Sequence, residues 1–337
     1  MHPIILGVDI AAATYTAACW VDGRGTLLGT FANTPDGFAQ LAAHPTLAPA
    51  PAPAIHLVLE PTGGYELALA HFALQQGWQV SVPNPKQVRD FAKGRGRRAK
   101  TDGQDALLLA RFGAETDPPP WQPLPPEVAE LESLQRRKDD LEQMIRQERN
   151  RRHALAPRPG QHPAVPRSLD RLIETLEQEL ADLERAIREQ IKRHTALQAA
   201  VERLRTVPGV GPQTVVPLLI LLWRWQVLTG GQGTSKGLTA YVGLDPQPFQ
   251  SGTSVHKPTT ISRQGDKVIR RRLFMAVLGG VRHRNALRAF YERLVGRGKK
   301  KKVALVAAAR KVLVWAWQVF HTQTNFDPAK LPHLAGA

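Results

Sequence analysis

Three short apolar runs crowd the first 31 residues, and no other feature of the chain narrows its fold as much. Residues 3–10, 15–21 and 26–31 read as strands, rich in branched and aromatic side chains, with Asp22-Gly23-Arg24-Gly25 as the turn between the second and third. Strand and helix then alternate. A short helix is expected over residues 38–43 and an Ala/Pro loop over 45–53. A buried strand over 55–59 ends at Glu60. A helix over 65–76 stops at Gly77, and a strand over 78–82 precedes helices at 86–92 and 103–113.

The resulting order, β-β-β-α-β-α-β-α, describes a ribonuclease-H-like (RuvC-like) fold, a mixed α/β sheet with helices on its faces. Prolines at 118, 119, 120, 123, 125 and 126 mark a linker. Beyond it, Val128, Leu131, Leu134, Leu141 and Ile145 stripe one charged helix. Leu169, Leu172, Leu176, Leu180, Leu183, Ile187 and Ile191 stripe a second. The spacing is heptad-like, and Pro157, Pro159, Pro163 and Pro166 break the helix between them. An antiparallel coiled-coil hairpin is expected, although the same stripes suit pairing with another chain. From about Val201 a mostly α domain follows. The expected domains are residues 1–125, 126–200 and 201–325.

Lys and Arg number 45 against 29 Asp and Glu, a formal charge of +16 over 337 residues. Such an excess points to a polyanionic partner, because phosphate contacts release bound counterions. The single cysteine, Cys19, excludes an internal disulfide and a cysteine-based zinc site. The N-terminus lacks the pattern of a secretory signal, and the apolar run near residues 215–223 is too short for a bilayer and ends at Arg224. A cytoplasmic protein with no membrane partner is expected.

Four acids stand where such a sheet could gather them. Asp9 ends the first strand and Glu60 the fourth, while Asp102 and Asp105 are three apart at a helix start and so share a face. Hard divalent cations take oxygen ligands, and two such ions can clamp the attacking and leaving oxygens of a phosphodiester. Read singly, Asp9 is also a common turn residue and Asp102 a common first-turn helix acid.

In the last third, Ser251 precedes Gly252, where a nucleic-acid backbone could come close. His256, Lys257, Arg263, Lys267, Arg270, Arg271 and Arg272 follow, a set suited to phosphates. Read alone, the stretch favours a Ser-Gly turn beside a solvated basic helix, and Ser254 is a weaker rival nucleophile. Val207-Pro208-Gly209-Val210-Gly211 has the helix-hairpin-helix pattern, with Gly209 and Gly211 presenting amides to a phosphate, or else simply a tight interhelical turn. Lys93, Arg95, Arg97, Arg98 and Lys100 form a basic loop before Asp102, read as a nucleic-acid contact or as plain surface. Lys299-Lys300-Lys301-Lys302 opens the last helix against the dipole, which suits an anionic partner or a solvated end. Trp315 and Trp317 are read as core.

Taken together, Gly7-Val8-Asp9, Glu60-Pro61-Thr62-Gly63-Gly64-Tyr65, Val82-Pro83-Asn84-Pro85, Lys100-Thr101-Asp102-Gly103-Gln104-Asp105-Ala106, Val207-Pro208-Gly209-Val210-Gly211-Pro212, Gly243-Leu244-Asp245-Pro246, Gln250-Ser251-Gly252 and Ile261-Ser262-Arg263-Gln264-Gly265-Asp266 resemble, in order, the insertion-sequence transposases with a RuvC-like DEDD domain. That group includes the Piv/MooV-type DNA invertases and the bridge-RNA-guided recombinases. The resemblance implies that Asp9, Glu60, Asp102 and Asp105 bind Mg2+, two ions per site, and that Ser251 attaches covalently to DNA. It also implies a serine domain over 201–325, a structured guide (bridge) RNA, and assembly as a dimer or tetramer with active sites shared between protomers. The chain departs from the usual pattern at Ala11-Ala12-Ala13 and at Thr229-Gly230-Gly231-Gln232-Gly233-Thr234. The function expected is strand cleavage and rejoining by a transposase. The alternative is a RuvC-like hydrolytic, structure-specific endonuclease with water as nucleophile, for which a domain around Ser251 would have no use. A third reading, a non-catalytic nucleic-acid-binding protein, makes the acids dispensable.

Overall fold

The computed structural model describes residues 3–95, 101–251 and 255–330, with side chains for all of these except 248–259 and 330. The chain divides into two compact units, Met1–Pro123 with Val227–Gly231, and Leu124–Gln226 with Gln232–Ala337.

In the first unit, β1 (Ile4–Ile10), β2 (Thr14–Val21) and β3 (Arg24–Ala32) form a meander. After it come α1 (Pro35–Ala42), β4 (Ile55–Leu59), α2 (Leu67–Gln75), β5 (Gln79–Ser81), α3 (Pro85–Gly94) and α4 (Asp102–Thr116). The sheet order is β3-β2-β1-β4-β5. β1 runs antiparallel to β2 and parallel to β4, which is parallel to β5. This mixed sheet is consistent with the expected ribonuclease-H-like arrangement. The β2–β3 turn is tighter than the sequence suggests: Arg24 and Gly25 belong to β3, leaving Asp22 and Gly23, with φ of 49° and 79°. Positive φ at both central residues gives the turn whose twist matches a hairpin.

Both faces of the sheet are covered. Leu6, Val8, Ile10, Leu57 and Leu59 pack with Phe38 and Leu41 of α1 and Leu69 and Ala73 of α2. Ile5 and Val58 pack on the other face with Val88 of α3 and Leu108, Leu109 and Phe112 of α4. β4 is buried along its whole length, which is why its sequence is apolar on both faces rather than alternating, apart from His56. Each such leucine, cut back to alanine, would cost about 2–5 kcal/mol.

The proline-rich stretch after α4 is more than a spacer. The Trp121 amide donates to the Val80 carbonyl at 2.6 Å. The buried Ser81 hydroxyl lies 2.9 Å from both the Pro118 and Pro119 carbonyls, and 2.8 Å from His56 Nε2. A hydroxyl has one proton to give, so with Ser81 donating to a carbonyl, His56 Nε2–H donates to Ser81.

The second unit opens with α5 (Pro126–Leu155) and α6 (Ala164–Arg193). Arg152 pairs with Asp170, Arg149 with Glu177 and Lys138 with Glu184, while Gln190 donates to Glu130. Partners climb one helix as they descend the other, so the hairpin is antiparallel, as expected. Its seam differs from the expected stripe. Leu141, Ile145 and Leu176 form the buried centre with Leu180 and Leu183, but Gln135, Lys138 and Glu148 are buried as well. Leu172 is 42% exposed. Pro166 lies inside the first turn of α6 rather than in the break, a position where proline loses no helical hydrogen bond.

Then follow α7 (Thr195–Arg205), α8 (Pro212–Leu228), α9 (Ser235–Val242), β6 (Pro246–Ser251), β7 (Val255–Ile261), α10 (Lys267–Gly280), α11 (Ala286–Gly296) and α12 (Lys301–Thr322). The antiparallel β6–β7 ladder interrupts the mostly α region and was not anticipated from the sequence. α12, rather than the run near 215–223, is the segment among the described residues long and apolar enough to cross a membrane. Its Ala304, Ala308, Val312, Leu313, Trp315 and Trp317 are buried, which makes both tryptophans core residues as expected.

Candidate active site

Strand register decides where the first two acids fall. β1 and β4 pair in step from Ile4↔Ile55 to Val8↔Leu59. The next residue on each chain is Asp9 on β1 and Glu60 just past β4, so the two acids follow the last pair at the carboxyl ends of adjacent parallel strands. Residues level with each other on parallel strands point to the same face. For Asp9 and Glu60 that is the face of Gly7 and Val58, the one α4 covers. Both acids are half-buried.

α4 crosses β1 in close contact. A Cβ on Gly7 would lie 2.1 Å from the Ala110 nitrogen and 2.2 Å from the Ala106 oxygen, so only glycine admits the helix there. Gly113 fits over Val58 and Ile5 in the same way. Thr101 caps α4, its hydroxyl accepting from the Gln104 amide, and Asp102 is the first helical residue. Asp102 and Asp105 thus occupy the first turn, where the helix dipole favours negative charge. Leu107 packs at Gly25 and Trp20, level with the start of β1. α4 opens beside β3, where a Cβ on Gly103 would meet Leu27, crosses β1 at Ala106 and Ala110, and reaches β4 at Gly113; at about 100° per residue, Asp102 and Asp105 lie on the flank opposite Leu107. Asp105 is half-buried and Asp102 exposed. Among the described residues, no three His, Cys, Asp or Glu side chains are gathered closely enough to hold a metal ion. The strand pairing thus leaves Asp9 and Glu60 as neighbours at the ends of β1 and β4, while Asp102 and Asp105 open α4 and the four acids are not closed into a cluster.

The loops behind Asp9 and Glu60 have their own fastenings, absent from the sequence reading. Glu66, 6% exposed, accepts through Oε2 from the Thr62 amide (3.1 Å), the Thr62 hydroxyl (2.8 Å) and the Gly64 amide (2.9 Å). Burial alone would raise its carboxyl pKa; the hydrogen bonds outweigh it and hold the group below the ordinary glutamate value. Asn33 Nδ2 donates to the Ala11 carbonyl at 3.1 Å and the Tyr65 carbonyl at 3.3 Å. The available signal was an acid two residues after Gly63-Gly64 and an asparagine between a strand end and a helix cap.

In the second unit, β6 ends at Ser251 and β7 returns from Val255, with Ser251 paired to Val255. Gly252 and Ser254 lie outside the described residues, and so do the side chains of Ser251, His256 and Lys257. The base of this ladder is interlocked. A Cβ on Gly265 would lie 2.1 Å from the Tyr241 oxygen, and one on Gly243 (φ 76°) 2.6 Å from the Gln264 nitrogen. The Ser262 amide donates to the Asp245 carbonyl at 3.0 Å, and its hydroxyl to the Asp245 carboxylate. Arg270 Nη1 donates to the Val242 and Gly265 carbonyls at 2.9 and 2.6 Å.

The basic candidates separate accordingly. Arg263, Lys267 and Arg271 are exposed. Arg270 is bound to carbonyls, and partial burial lowers its pKa from the ordinary arginine value. Arg272 pairs with Asp139 and donates to the Gln213 carbonyl, so it serves the hairpin base rather than the surface. Lys93 and Arg95 are exposed at the end of α3, with Arg95 paired to Glu115. Arg97, Arg98 and Lys100 lie outside the described residues. Gly209 (φ 93°) is packed inward against Ala276, Leu287 and Gly280, whereas Gly211, at the start of α8, faces open space.

The profile of a transposase family named for the DEDD residues and IS110 matches residues 6–157. A second, described as the transposase IS116/IS110/IS902 family, matches residues 201–292. The pilin gene-inverting protein of Moraxella lacunata is 33% identical over 332 residues, covering 97% of this chain and 98% of its own length. Its Moraxella bovis counterpart matches equally in identity and coverage. The transposase of insertion sequence IS1328 from Yersinia enterocolitica is 27% identical over 296 residues, 80% of this chain and 81% of its own.

Proposed function

The chain belongs to the IS110/IS116 family of DEDD transposases, and on that premise we propose that it cuts and rejoins insertion-sequence DNA through a covalent phosphoserine intermediate. In this reading residues 1–125 carry the acids Asp9, Glu60, Asp102 and Asp105, residues 126–200 form the assembly hairpin, and residues 201–325 carry Ser251. The observation that supports it is the parallel pairing of β1 and β4 up to Val8 and Leu59, which makes Asp9 and Glu60 the next residues on neighbouring strands, with α4, which opens on Asp102 and Asp105, crossing β1.

The donor set is oxygen only, which fits Mg2+ rather than a soft metal. When bound, such ions would neutralise developing charge and clamp the attacking and leaving oxygens. Asp9 and Glu60 would hold them on a rigid strand platform, and Asp102 and Asp105 would complete the ligand set from α4. Ser251 Oγ gives up its proton and forms a bond to phosphorus. The bond from phosphorus to the leaving deoxyribose oxygen breaks, and that oxygen takes up a proton. The Oγ–phosphorus ester preserves the bond energy, so a deoxyribose hydroxyl attacking in reverse rejoins the strand and returns the proton to Ser251.

Arg263, Lys267 and Arg271, with Lys257, would hold phosphates near that reaction. Lys93, Arg95, Arg97, Arg98 and Lys100 would do so before α4, and the Gly211 end of α8 would serve the same purpose. Arg270 would act instead by bracing the ladder. A structured guide RNA, a dimeric or tetrameric assembly and a cytoplasmic location belong to the same proposal.

The test is adduct trapping with magnesium and element-end DNA. A covalent protein–DNA species should form with the unaltered chain, vanish in Ser251→Ala, and be absent from Asp9→Asn. Cleavage that persists in Ser251→Ala would convert the reading to the hydrolytic endonuclease.

A further inference from the structure

Two side chains outside the four acids bind the loops on which Asp9 and Glu60 depend. The chain leaves β1 one residue past Asp9 and turns through Ala11, Ala12 and Ala13. It leaves β4 at Glu60 and turns through Pro61 to Tyr65. Register fixes the two strands only up to Val8 and Leu59, the last recorded pair. Beyond that pair Asp9 is still laddered to Thr16 of β2, whereas Glu60 has left β4, so the gap between the two carboxylates depends also on the loops that follow.

Asn33 bridges these two loops directly. Its Nδ2 donates to the carbonyl of Ala11, two residues past Asp9, and to that of Tyr65, five past Glu60. Both partners are acceptors, so the amide nitrogen must face them, and both its protons are used. The Asn33 backbone is held in turn, its amide donating to the Ala13 carbonyl at 2.9 Å. Glu66 closes the second loop on itself. Three donors from Thr62 and Gly64 converge on one oxygen of a carboxylate that is almost wholly buried. Gly63 and Gly64 hold φ of 90° and 135°, conformations that leave the loop little stiffness of its own. The Leu67 amide completes the turn by donating to the Gly64 carbonyl at 3.2 Å.

We propose that Asn33 and Glu66 are positioning residues that fix the separation of the Asp9 and Glu60 carboxylates, and so set how tightly the chain takes up a divalent cation. The proposal rests on the assignment of those acids as ligands. Neither residue would touch the cation. Asn33 acts by tying one loop to the other, and Glu66 by shaping the second. A carboxylate pair held at the right spacing loses little freedom on binding, whereas one on a loosened loop must be ordered first.

The experiment is Mn2+ titration of the full chain followed by the electron paramagnetic resonance signal of the free ion, which reads binding without any turnover. The unaltered chain should bind Mn2+, and Asp9→Asn should bind at least tenfold more weakly. Asn33→Ala and Asn33→Asp should each weaken binding by about tenfold, since alanine removes both donors and aspartate replaces them with an acceptor facing two carbonyls. Glu66→Gln, which keeps the shape and loses the charge, should weaken it by a smaller factor of about three. Tyr15→Phe loses the hydrogen bond from its hydroxyl to the Gly37 carbonyl on the opposite face. It should lower the melting temperature and leave Mn2+ affinity unchanged, which separates positioning from general loosening. Wild-type affinity in both Asn33 variants, with Asp9→Asn impaired, overturns the positioning role and leaves the ligand assignment standing. Equal binding by Asp9→Asn and the unaltered chain overturns both.

Discussion

The carboxyl end of the central strands and the β6–β7 ladder carry the two halves of the proposed chemistry and are built on different principles. Asp9 and Glu60 sit where two buried parallel strands stop, and their adjacency follows from a register that apolar packing enforces on both faces. A one-residue slip would exchange the side chains of β4 between its two packed faces, so the fit on both faces specifies the placement. Ser251 ends a strand of the two-stranded β6–β7 ladder. What holds that ladder is its base, where Gly243, Gly265, Ser262, Asp245 and Arg270 interlock through backbone contacts and hydrogen bonds. A cation site gains from rigid ligands, whereas a nucleophile joined to DNA has to be presented at a strand end.

Two glycine substitutions break the comparison most severely. Gly7→Ala drives a methyl group to about 2 Å from α4 backbone atoms, and Gly265→Ala does the same against Tyr241. Backbone cannot yield as a flexible side chain does, so each should cost about 3 kcal/mol or more. Urea titration measures this. Gly7→Ala should lower the midpoint of the first unit and Gly265→Ala that of the second, and a tolerated Gly7→Ala would mean that α4 does not cross where described.

Next in size are the acids. Glu60→Gln and Asp105→Asn should slow strand cleavage by about a thousandfold, the loss of several kcal/mol of charge stabilisation. Circular dichroism should be unchanged, since neither side chain belongs to the core. A smaller effect distinguishes Arg270 from its basic neighbours. Arg270→Ala should lower stability by about 1.5–3 kcal/mol by stranding two carbonyls. Arg271→Ala, at an exposed position, should leave stability within about 0.5 kcal/mol and weaken DNA binding with a reduced salt dependence.

The smallest effect is pH-dependent. Burial lowers the His56 pKa below its ordinary 6.5, opposed by the nearby Asp117 carboxylate. The folded chain therefore resists a proton that the unfolded chain accepts. His56's contribution is complete above pH 6.5 and is lost as pH falls from there through the lowered folded value. The loss is at most about 1.4 kcal/mol per pH unit. His56→Gln should flatten that slope in denaturant midpoints taken between pH 7 and 5.

These differences also explain what the sequence could and could not reveal. The strand order of the first unit was readable because β4 is apolar apart from His56, and because Gly77 and the Asp22-Gly23 turn punctuate the order. Asp9 and Glu60 stood out as acids ending apolar runs. The ladder around Ser251 was not readable, because what holds it is glycine contacts between segments some twenty residues apart, which leave no periodic pattern. The hairpin stripe misled at Leu172, which is exposed, and at Gln135 and Lys138, which are buried. Lys138 lies at the hairpin base beside Glu184 and Gln213, where ion pairing rather than packing satisfies it. Asn33 and Glu66 left only the faint local signal noted above, because they act through loop carbonyls and amides rather than through a periodic side-chain pattern.

The account turns on whether the four acids take up a cation together. Replacing Mg2+ with Fe2+ and generating hydroxyl radicals cuts the polypeptide next to the bound ion, and mass spectrometry locates the cuts. They should fall at the chain around Asp9, around Glu60 and at the start of α4 near Asp102 and Asp105, and should disappear in Glu60→Gln. Cuts confined to other segments, or a pattern indifferent to Glu60→Gln, would contradict the shared site.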